Sequence, residues 1–472
     1  MTNFPNVQID TTELESFAAQ LQGALVLPDD PGYNDARAVW NGMIDRYPAM
    51  IARCHSVSDV VASVNFARQH DLLISVRGGG HNVAGHATND GGIVIDLSPM
   101  KAIEVDPERR IAHAQGGVIW GELDHATQQY GLATPGGEVS DTGIAGLTLG
   151  GGMGYVRRRF GLSADNLLAV EMVTASGDVI TADDSHNTDL MWAVRGGGGN
   201  FGIVTRFTYR LHYVGTQVTG ATVMYPLSAA REVMRRWRAF TKTAPDEVSS
   251  AFMIWTAPAI EDFPEEWHHQ GVCMIDAPYV GDDLDHGDEV VRPLRELAEP
   301  VFDMSARQRY VDMQSAFDDF FPAREQRYYW KSLNALDLSD ELIDRIIAHG
   351  RTRPSPNTLM IVRHLGGAMA RVPADATAFG DRSAQFNISI DSTWVDPADD
   401  ERNVAWTRRV WDDLRPYSDG GVYLNFPGFQ EEGQALMRAQ FGRNYERLAS
   451  IKHKYDPTNL FRLNQNITPL KA

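Results

Sequence analysis

Short apolar runs separated by turns organise the first 212 residues of the chain. Such runs, bounded by glycine or charged residues, predict buried strands over residues 72–76, 91–97, 111–117 and 167–174. Apolar residues three or four positions apart predict helices over 12–25, from Ser58 as N-cap onward, and over 120–130. Ser176, Gly177 and Asp178 then predict a hairpin turn.

After residue 212 the apolar pattern changes to longer strands with intervening helices. The strands are predicted over 218–225, 249–256, 271–279, 359–365 and 385–394. The helices are predicted over 227–243, 285–297, 339–350, 397–415 (with Asp396 as N-cap) and 431–451. Antiparallel strands with helices on one side are typical of an α+β domain, and we expect one here.

Composition and charge narrow the class of protein. A chain of 472 residues with 43% hydrophobic and 22% charged residues is typical of a globular protein with two domains. The formal net charge is −19, which repels nucleic acid and anionic lipid, so we expect neither as a partner. A saline habitat is an alternative reason for the acidic balance.

Cysteine content and hydropathy indicate the compartment. Two cysteines, Cys54 and Cys273, cannot form a disulfide framework, so a reducing cytoplasm is the simplest expectation. Residues 1–10 lack the basic and apolar segments of a signal peptide. No apolar run reaches the roughly 18 residues that a membrane span needs, and we expect no membrane association.

The stretch from Arg77 to Asn82 is the first candidate for chemistry. It follows the strand predicted over 72–76 and contains Gly78, Gly79 and Gly80. Consecutive glycines let a backbone approach a ligand closely, and the bare N–H groups of such a turn suit a phosphate. The histidine that follows, His81, brings a nucleophilic ring nitrogen to the mouth of the turn.

Two further segments are rich in glycine. Residues 134–154 contain nine glycines or prolines at turn-like spacing, which indicates a backbone packed against a ligand or against itself. Residues 195–204 contain the GxGxxG pattern of nicotinamide cofactor sites. That pattern should follow a strand and open a helix, whereas here a helix precedes it and a strand follows. We therefore reject a nicotinamide site.

Several motifs occur together in a characteristic order. They are the segments 75–85, 143–154, 161–167, 195–204, 423–426, 455–461 and 464–466. In this combination the chain resembles the FAD-linked oxidases of the berberine bridge enzyme-like group, within the vanillyl-alcohol oxidase superfamily. The resemblance extends from about residue 35 to the end of the chain.

The resemblance implies an α+β fold with a two-part FAD-binding domain of the vanillyl-alcohol oxidase type. Residues 1–212 and 410–472 would form that domain. Residues 213–409 would form a substrate domain, with an antiparallel β-sheet flanked by helices, that covers the flavin ring. A monomer or a homodimer is expected.

The resemblance also implies the residues that bind FAD. His81 would be joined covalently to the flavin. Relatives with a second attachment carry a cysteine at the position of Val139, so a single attachment through His81 is expected. The other expected contacts are Arg77, Gly78, Gly79, Gly80, Asn82, Gly85, Gly137, Thr142, Gly143, Gly146, Gly150, Gly151, Gly152, Gly202, Ile203, Val204, Asn464 and Asn466.

For catalysis the resemblance points to Tyr423, with Asn425 beside it, as the base that takes a hydroxyl proton from the substrate. A site that lowers the pKa of Tyr423 would favour this role. Thr142, close in size to valine and near Gly137, is compatible with oxygen access. Residues 328–331 are candidates for the pocket wall, whereas for His364 a hydrogen-bonded core position is favoured over a pocket position.

The expected activity is an oxidase that takes hydride from a CH–OH carbon of a sugar or alcohol, or a related carbon, and passes it to O2 to form H2O2. The substrate is a small molecule that the sequence does not name. A dehydrogenase with another electron acceptor, an amine oxidase similar to 6-hydroxynicotine oxidase, and a flavin-binding protein without turnover stay open as alternatives.

Overall fold

The computed structural model describes residues 2–4, 7–261, 263–426 and 433–470. Its strands, in chain order, are β1 Thr2–Phe4, β2 Val7–Ile9, β3 Ala24–Val26, β4 Met50–Arg53, β5 Ile74–Arg77, β6 Ile93–Asp96, β7 Ile103–Asp106, β8 Ile111–Gln115, β9 Leu132–Ala133, β10 Leu167–Val173, β11 Val179–Asp183, β12 Ile203–Arg210, β13 His212–Tyr213, β14 Gln217–Pro226, β15 Ala251–Thr256, β16 Gly271–Tyr279, β17 Phe302–Asp303, β18 Ala306–Arg309, β19 Arg327–Ala335, β20 Leu359–His364 and β21 Phe386–Trp394.

The α-helices, again in chain order, are α1 Thr11–Gln20, α2 Tyr33–Arg37, α3 Val57–Gln69, α4 Trp120–Gln128, α5 Ile144–Leu149, α6 Arg157–Phe160, α7 Thr188–Val194, α8 Ala230–Thr241, α9 Leu284–Val291, α10 Tyr310–Gln314, α11 Asp340–Gly350, α12 Gly367–Arg371, α13 Asp400–Leu414, α14 Gln434–Phe441 and α15 Tyr445–Tyr455. None of the helices in the described ranges is long and apolar enough to span a membrane.

Two sheets form the N-terminal region. The first has the order β3-β4-β6-β5, with β4, β5 and β6 parallel to one another. The second is antiparallel, in the order β11-β10-β12-β8-β7. The predicted hairpin at Gly177 joins β10 to β11. Residues of the C-terminal segment, such as Leu448 and Ile467, are part of the core of this second sheet.

The middle region is built on an eight-stranded antiparallel sheet with the path β17-β14-β16-β15-β20-β21-β19, with β18 beside β14. Side chains alternate between its faces, because successive residues of a strand point to opposite sides. One face, with Phe252 and Ile390, packs against helices α8, α11 and α13. The other face, with Met253 and Ile361, turns towards the glycine-rich N-terminal region. The predicted α+β class is confirmed by this arrangement.

Helix α13 packs against the middle sheet. Its buried residues Trp406, Val410 and Leu414 lie in the same core as Ile388 of β21. The predicted domain boundary at residue 409 would divide this helix. We therefore propose that the middle domain ends after the helix, near residue 417, and that the C-terminal part of the first domain begins there.

Local hydrogen bonding shifts several predicted element ends. Ser56, not Ser58, is the N-cap of α3, since its Oγ accepts the N–H of Asp59. Asp396 caps a 3₁₀ turn that precedes α13. The single helix predicted over 431–451 is wrong within the described residues: α14 and α15 are separate, and Gly442 between them has a left-handed φ of 47°. Residues 431–432 of that prediction lie outside the described residues.

Candidate active site

A large open cavity lies between the glycine-rich N-terminal turns and the middle sheet. Its volume, with the mouth included, is about 1980 Å³. Its walls come from all three regions of the chain: the turn after β5, the segment 137–155, the face of β15, β19, β20 and β21, and the C-terminal segment. Because one continuous cavity joins the glycine turns to the face of the middle sheet, a long ligand can contact both.

The turn after β5 presents unpaired N–H groups to the cavity. Among the described residues, none of the four N–H groups from Gly79 to Asn82 donates a hydrogen bond. Gly80 has a left-handed φ of 73°, which favours glycine. A Cβ on Gly79 would lie 2.5 Å from the nitrogen of Gly143, so the turn packs directly on the second glycine segment. Successive bare N–H groups of this kind suit a phosphate.

His81 sits at the end of this turn with its ring held on one side by Trp40. The two ring centroids are 3.9 Å apart and the rings are nearly parallel. Tyr328 of β19 stacks on the other face of Trp40 at 3.7 Å. The Nε2 atom of His81 lies 2.9 Å from Oδ1 of Asp141. The stack fixes the plane of the imidazole, and the carboxylate lies beside its Nε2 without a hydrogen bond in this orientation.

The second and third glycine segments form another part of the wall. A Cβ added at Gly146 or at Gly199 would meet no atom within 4 Å, so both positions open onto the cavity. Six buried side-chain atoms of the cavity wall have no hydrogen-bond partner among the described residues: Nε2 of His81, Nδ1 of His86, Nε1 of Trp330, Oδ1 of Asp391, Oδ1 of Asn464 and Nε2 of Gln465. Burial lowers the pKa of His86 to about 4, so its ring is neutral. Unpaired buried polar atoms indicate a ligand that pairs with them.

The C-terminal part of the wall is held by a buried ion pair. Nζ of Lys452 lies 2.7 Å from Oδ2 of Asp456, and both side chains are completely buried. Lys452 also donates to the carbonyl groups of Asn200 and Phe461. Asp456 accepts the N–H groups of Leu460 and Phe461. The motif at 455–461 thus fixes the segment in which Phe461 and Asn464 face the cavity.

Tyr423 lies where the C-terminal segment meets the middle sheet. Its hydroxyl oxygen accepts two hydrogen bonds of 2.8 Å, from the N–H of Met153 and from Nδ2 of Asn425. Asn425 is itself held by a bond to the carbonyl of Leu147. Burial raises the pKa of Tyr423, although these two hydrogen bonds act in the opposite direction. The protein groups alone therefore raise the pKa of Tyr423, and a lowering of this pKa by the flavin site stays a prediction.

Charged residues of the middle sheet face Tyr423 across the cavity. Arg363 of β20 pairs with Glu138 at 2.9 Å, and Arg157 lies 3.5 Å from the same carboxylate. Burial raises the pKa of Glu138, but the two guanidinium groups outweigh it, so the net shift is downward. Asp391 of β21 lies 4.0 Å from Arg363, and burial raises its pKa to about 6. Its Oδ1 has no partner in the described part of the chain.

Known protein families match both ends of the chain. The sequence profile of the FAD binding domain matches residues 48–183, and the profile named berberine and berberine like matches residues 422–468. The FAD-linked oxidoreductase YgaK of Bacillus subtilis, described as uncharacterized, is 32% identical over 462 residues, which cover 96% of this chain and 98% of that protein. The chain belongs to the berberine bridge enzyme-like FAD-linked oxidoreductases.

Characterised relatives and solved structures agree with this assignment. The (R)-6-hydroxynicotine oxidase of Paenarthrobacter nicotinovorans is 30% identical over 470 residues, covering 95% of this chain and 97% of that protein. The crystal structure of 6-hydroxy-D-nicotine oxidase from Arthrobacter nicotinovorans superposes with a TM-score of 0.85 at 28% identity, over 95% of this chain and 98% of that one. The predicted fold and FAD-linked oxidoreductase class are thereby confirmed.

The cavity of this FAD-linked oxidoreductase fits the cofactor. The free N–H groups of the first glycine turn suit the pyrophosphate, and the unpaired polar atoms of Asn464 and Gln465 are available to other parts of FAD. The predicted residues that line the cavity are Gly78, Gly79, Gly80, His81, Asn82, Gly137, Thr142, Gly143, Gly146, Gly150, Gly202, Ile203, Val204, Asn464, Tyr423 and Asn425. Val139 also lines the cavity.

Five predicted cofactor residues lie outside the cavity wall: Arg77, Gly85, Gly151, Gly152 and Asn466. The guanidinium of Arg77 is bound by both carboxylate oxygens of Asp96 and by the carbonyl of Ala36. A Cβ on Gly85 would lie 2.8 Å from the side chain of Ile44, and one on Gly151 would lie 2.5 Å from the ring of Phe379. Arg77, Gly85 and Gly151 therefore have packing roles, which sequence motifs do not distinguish from ligand contacts.

The pocket candidates predicted in β19 and β20 do not all lie on the face of the sheet that borders the cavity. Trp330 lines the cavity, whereas Lys331 lies over the ring of Trp411 on the opposite side. His364 is buried, and its Nε2 faces Nη1 of Arg158 at 3.1 Å. Since arginine can only donate, the ring accepts, and burial together with that charge lowers the pKa of His364 to about 2. Its predicted role as a hydrogen-bonded core residue agrees with this geometry.

Many residues that line the cavity were not predicted from the sequence. The missed polar residues are His86, Glu138, Tyr155, Arg363, Asp391 and Gln465, and Met253, Phe317, Phe321, Leu359, Ile361 and Phe426 are missed apolar ones. Trp40, which stacks on His81, was missed as well. One signal was present for the sheet residues: Arg363 and Asp391 are charges within segments predicted as strands, where a buried charge requires a partner or a function.

Proposed function

We propose that this FAD-linked oxidoreductase is an oxidase that removes hydride from a CH–OH carbon and passes the electrons to O2, forming H2O2. The observation that carries the proposal is the pair of hydrogen bonds that Met153 and Asn425 donate to the oxygen of Tyr423. Because both donors act on that oxygen, they stabilise a tyrosinate there. They also leave the O–H group of the neutral form free to interact with a substrate.

The bound flavin supplies the acceptor for the hydride and returns the electrons to oxygen. The protein supplies the proton acceptor and the position of the substrate. Tyr423 takes the substrate hydroxyl proton at its Oη, and Asn425 holds that oxygen in place. Trp330, Phe426 and Ile361 exclude water and contact the substrate body. Arg363 and Asp391 provide polar contacts at the sheet side of the cavity.

The charges of the sheet wall favour a neutral, hydroxyl-bearing substrate. Arg363 and Arg157 are balanced by Glu138 and by ionised Asp391, so the wall has no net charge left for an ionic substrate to neutralise. An oxidation of an amine is the second candidate, because the relative from Paenarthrobacter is named a hydroxynicotine oxidase. A cationic amine would have to approach the guanidinium group of Arg363, which lines the cavity.

An anaerobic substrate screen tests the proposed function. The purified protein is mixed without oxygen with sugars, aromatic alcohols and cyclic amines, and the flavin absorbance is followed. Bleaching of the flavin by a hydroxyl compound supports the proposal. If only amines bleach the flavin, the enzyme is an amine oxidase instead. Should no compound of a broad panel bleach the flavin, the proposal fails in favour of a flavin-binding protein without turnover.

We further propose that FAD is attached once, through His81. The ring faces the cavity, Val139 stands where a second attachment would need a cysteine, and neither Cys54 nor Cys273 lines the cavity. Acid precipitation of the wild type is expected to leave the yellow colour in the pellet, whereas His81→Ala should release all flavin into the supernatant. Yellow supernatant from the wild type would contradict a covalent bond.

Thr142 is proposed to leave oxygen a path to the flavin. A Cβ on Gly137 would lie 3.3 Å from the Cβ of Thr142, so the two small residues adjoin in the wall. We expect Thr142→Leu to slow reoxidation of the reduced enzyme by air about tenfold, a barrier increase of about 1.4 kcal/mol. Anaerobic reduction by substrate should change little. If the wild type itself is not reoxidised by air, the enzyme is a dehydrogenase.

Ionisation of Asp391 is expected to appear in the pH profile. Burial raises the pKa of Asp391 to about 6, so its carboxylate is charged above pH 6 and neutral below. If the charged form binds the substrate hydroxyl, kcat/KM rises as pH increases through about 6. Asp391→Asn should lower kcat/KM at pH 8 and remove this transition. Ser389→Ala, on the same strand as Asp391, is the control: its hydroxyl accepts from Arg363 of β20 and lowers the pKa of Asp391, so the transition should persist and move to higher pH.

A further inference from the structure

We propose that Asp141 is a positioning residue that directs His81 towards the flavin and accepts its proton when the covalent bond forms. This inference rests on the proposed attachment through His81. Oδ1 of Asp141 lies 2.9 Å from Nε2 of His81, and both atoms are buried. Neither has another partner among the described residues. The two atoms are close enough for a hydrogen bond but are not aligned for one, so one of the two side chains must turn to form it.

The backbone holds Asp141 beside His81. A Cβ on Gly79 would lie 2.5 Å from the nitrogen of Gly143 and 3.3 Å from the carbonyl oxygen of Asp141, which shows that the two loops touch. The neighbouring residue, Ser140, is fixed from the middle region, because its N–H and Oγ both donate to the carboxylate of Asp318. Asp141 thus lies in a loop that is fixed from both sides.

The contact selects one tautomer of His81. With the proton on Nε2 and directed at Asp141, the lone pair is on Nδ1. Only 12% of the His81 side chain is exposed, and Nε2 is buried, so the exposed part of the ring is its other edge, which faces the cavity. A neutral nitrogen with a free lone pair is the form that can act as a nucleophile.

The chemistry of attachment needs a proton acceptor at this place. A bond forms between Nδ1 of His81 and the 8α-carbon of the flavin, and one C–H bond of that carbon breaks. The two electrons pass through the flavin to O2, which is reduced to H2O2 with the proton from carbon and the proton from Nε2. Alkylated on Nδ1, the imidazole would carry a positive charge, and the carboxylate of Asp141 takes up the Nε2 proton before it reaches oxygen.

Covalent attachment can be measured independently of turnover. Wild type, Asp141→Asn, Asp141→Ala and His81→Ala are purified, incubated with added FAD in air, and sampled over time. Total bound flavin is read from the absorbance of the native protein, and covalent flavin from fluorescence of the denatured chain. We expect both Asp141 variants to bind FAD but to attach it about 100-fold more slowly than wild type. For Asp141→Asn the rate should increase with pH, because hydroxide can replace the missing proton acceptor.

Ser140→Ala is the matched control in the same loop. It removes the hydroxyl bond to Asp318 and leaves the carboxylate of Asp141 in place, so attachment should proceed at the wild-type rate. Wild-type attachment rates in both Asp141 variants would overturn the proposal, as would an equal loss in Ser140→Ala. A wild type that binds FAD without any covalent fraction would instead overturn the attachment through His81. His81→Ala gives the value for zero attachment.

Discussion

Tyr423→Phe is expected to lower the rate of flavin reduction by substrate by about 10²- to 10⁴-fold, the usual contribution of a positioned base. The phenylalanine keeps the ring and removes only the oxygen on which Met153 and Asn425 converge. Stopped-flow measurement under nitrogen, with a substrate from the screen, isolates this step from oxygen. Covalent and total flavin content should be unchanged, because His81 and the phosphate turn are elsewhere in the cavity.

The pH dependence gives a second readout of the same role. Since burial raises the pKa of Tyr423, the ionised fraction is small at neutral pH and increases about tenfold with each pH unit. The reduction rate of the wild type should therefore rise towards alkaline pH, and this rise should be absent from Tyr423→Phe. Tyr225→Phe is a suitable control, because Tyr225 is a buried tyrosine that donates to Leu294 far from the cavity. A Tyr423→Phe enzyme with wild-type reduction rates would rule out the proton transfer.

Asp456→Ala is expected to lower the free energy of unfolding by about 3–5 kcal/mol, the typical cost of leaving one member of a buried ion pair alone. The substitution leaves Lys452 charged and buried, and it leaves the N–H groups of Leu460 and Phe461 without an acceptor. Urea unfolding followed by fluorescence measures the loss. FAD content should fall as well, because Phe461 and Asn464 line the cavity directly after this motif.

An exposed ion pair between α15 and α7 provides the comparison. Lys454 and Asp189 are also 2.7 Å apart, but they are solvent-accessible, so Lys454→Ala should cost at most about 1 kcal/mol. Asp456→Asn retains an acceptor for the backbone N–H groups and should lie between the two. Equal stability of Asp456→Ala and Lys454→Ala would show that the buried pair does not hold the C-terminal segment.

The glycine motifs show what residue patterns can predict about a binding site and what they cannot. The pattern at 78–82 predicted a phosphate turn, and the free N–H groups of that turn agree with the prediction. The same pattern also included Arg77, whose side chain instead binds Asp96. A sequence motif contains both the residues that contact a ligand and the residues that support them, and it does not distinguish the two.

The substrate side of the cavity was beyond sequence reasoning for a different reason. Glu138, Arg363 and Asp391 are far apart in the chain, and their ionisation depends on mutual distance and burial. The direction in which the protein groups shift the pKa of Tyr423 also depends on the fold, since desolvation by the surrounding residues outweighs the two hydrogen bonds. Distances between segments are set by folding, and no local pattern contains them.

By itself, the sequence determined the α+β class and the FAD-linked oxidoreductase class. The two-part flavin domain, the phosphate-binding turn with His81 and the role of Tyr423 stay predictions from local periodicity and from motifs with fixed spacing. Only the tertiary structure showed that Trp40 stacks on His81 beside Asp141, that β20 and β21 bring Arg363 and Asp391 into one cavity with Tyr423, and that Lys452 and Asp456 form a buried ion pair. The physical reason is that contact, desolvation and charge pairing act through space between residues that the chain places far apart.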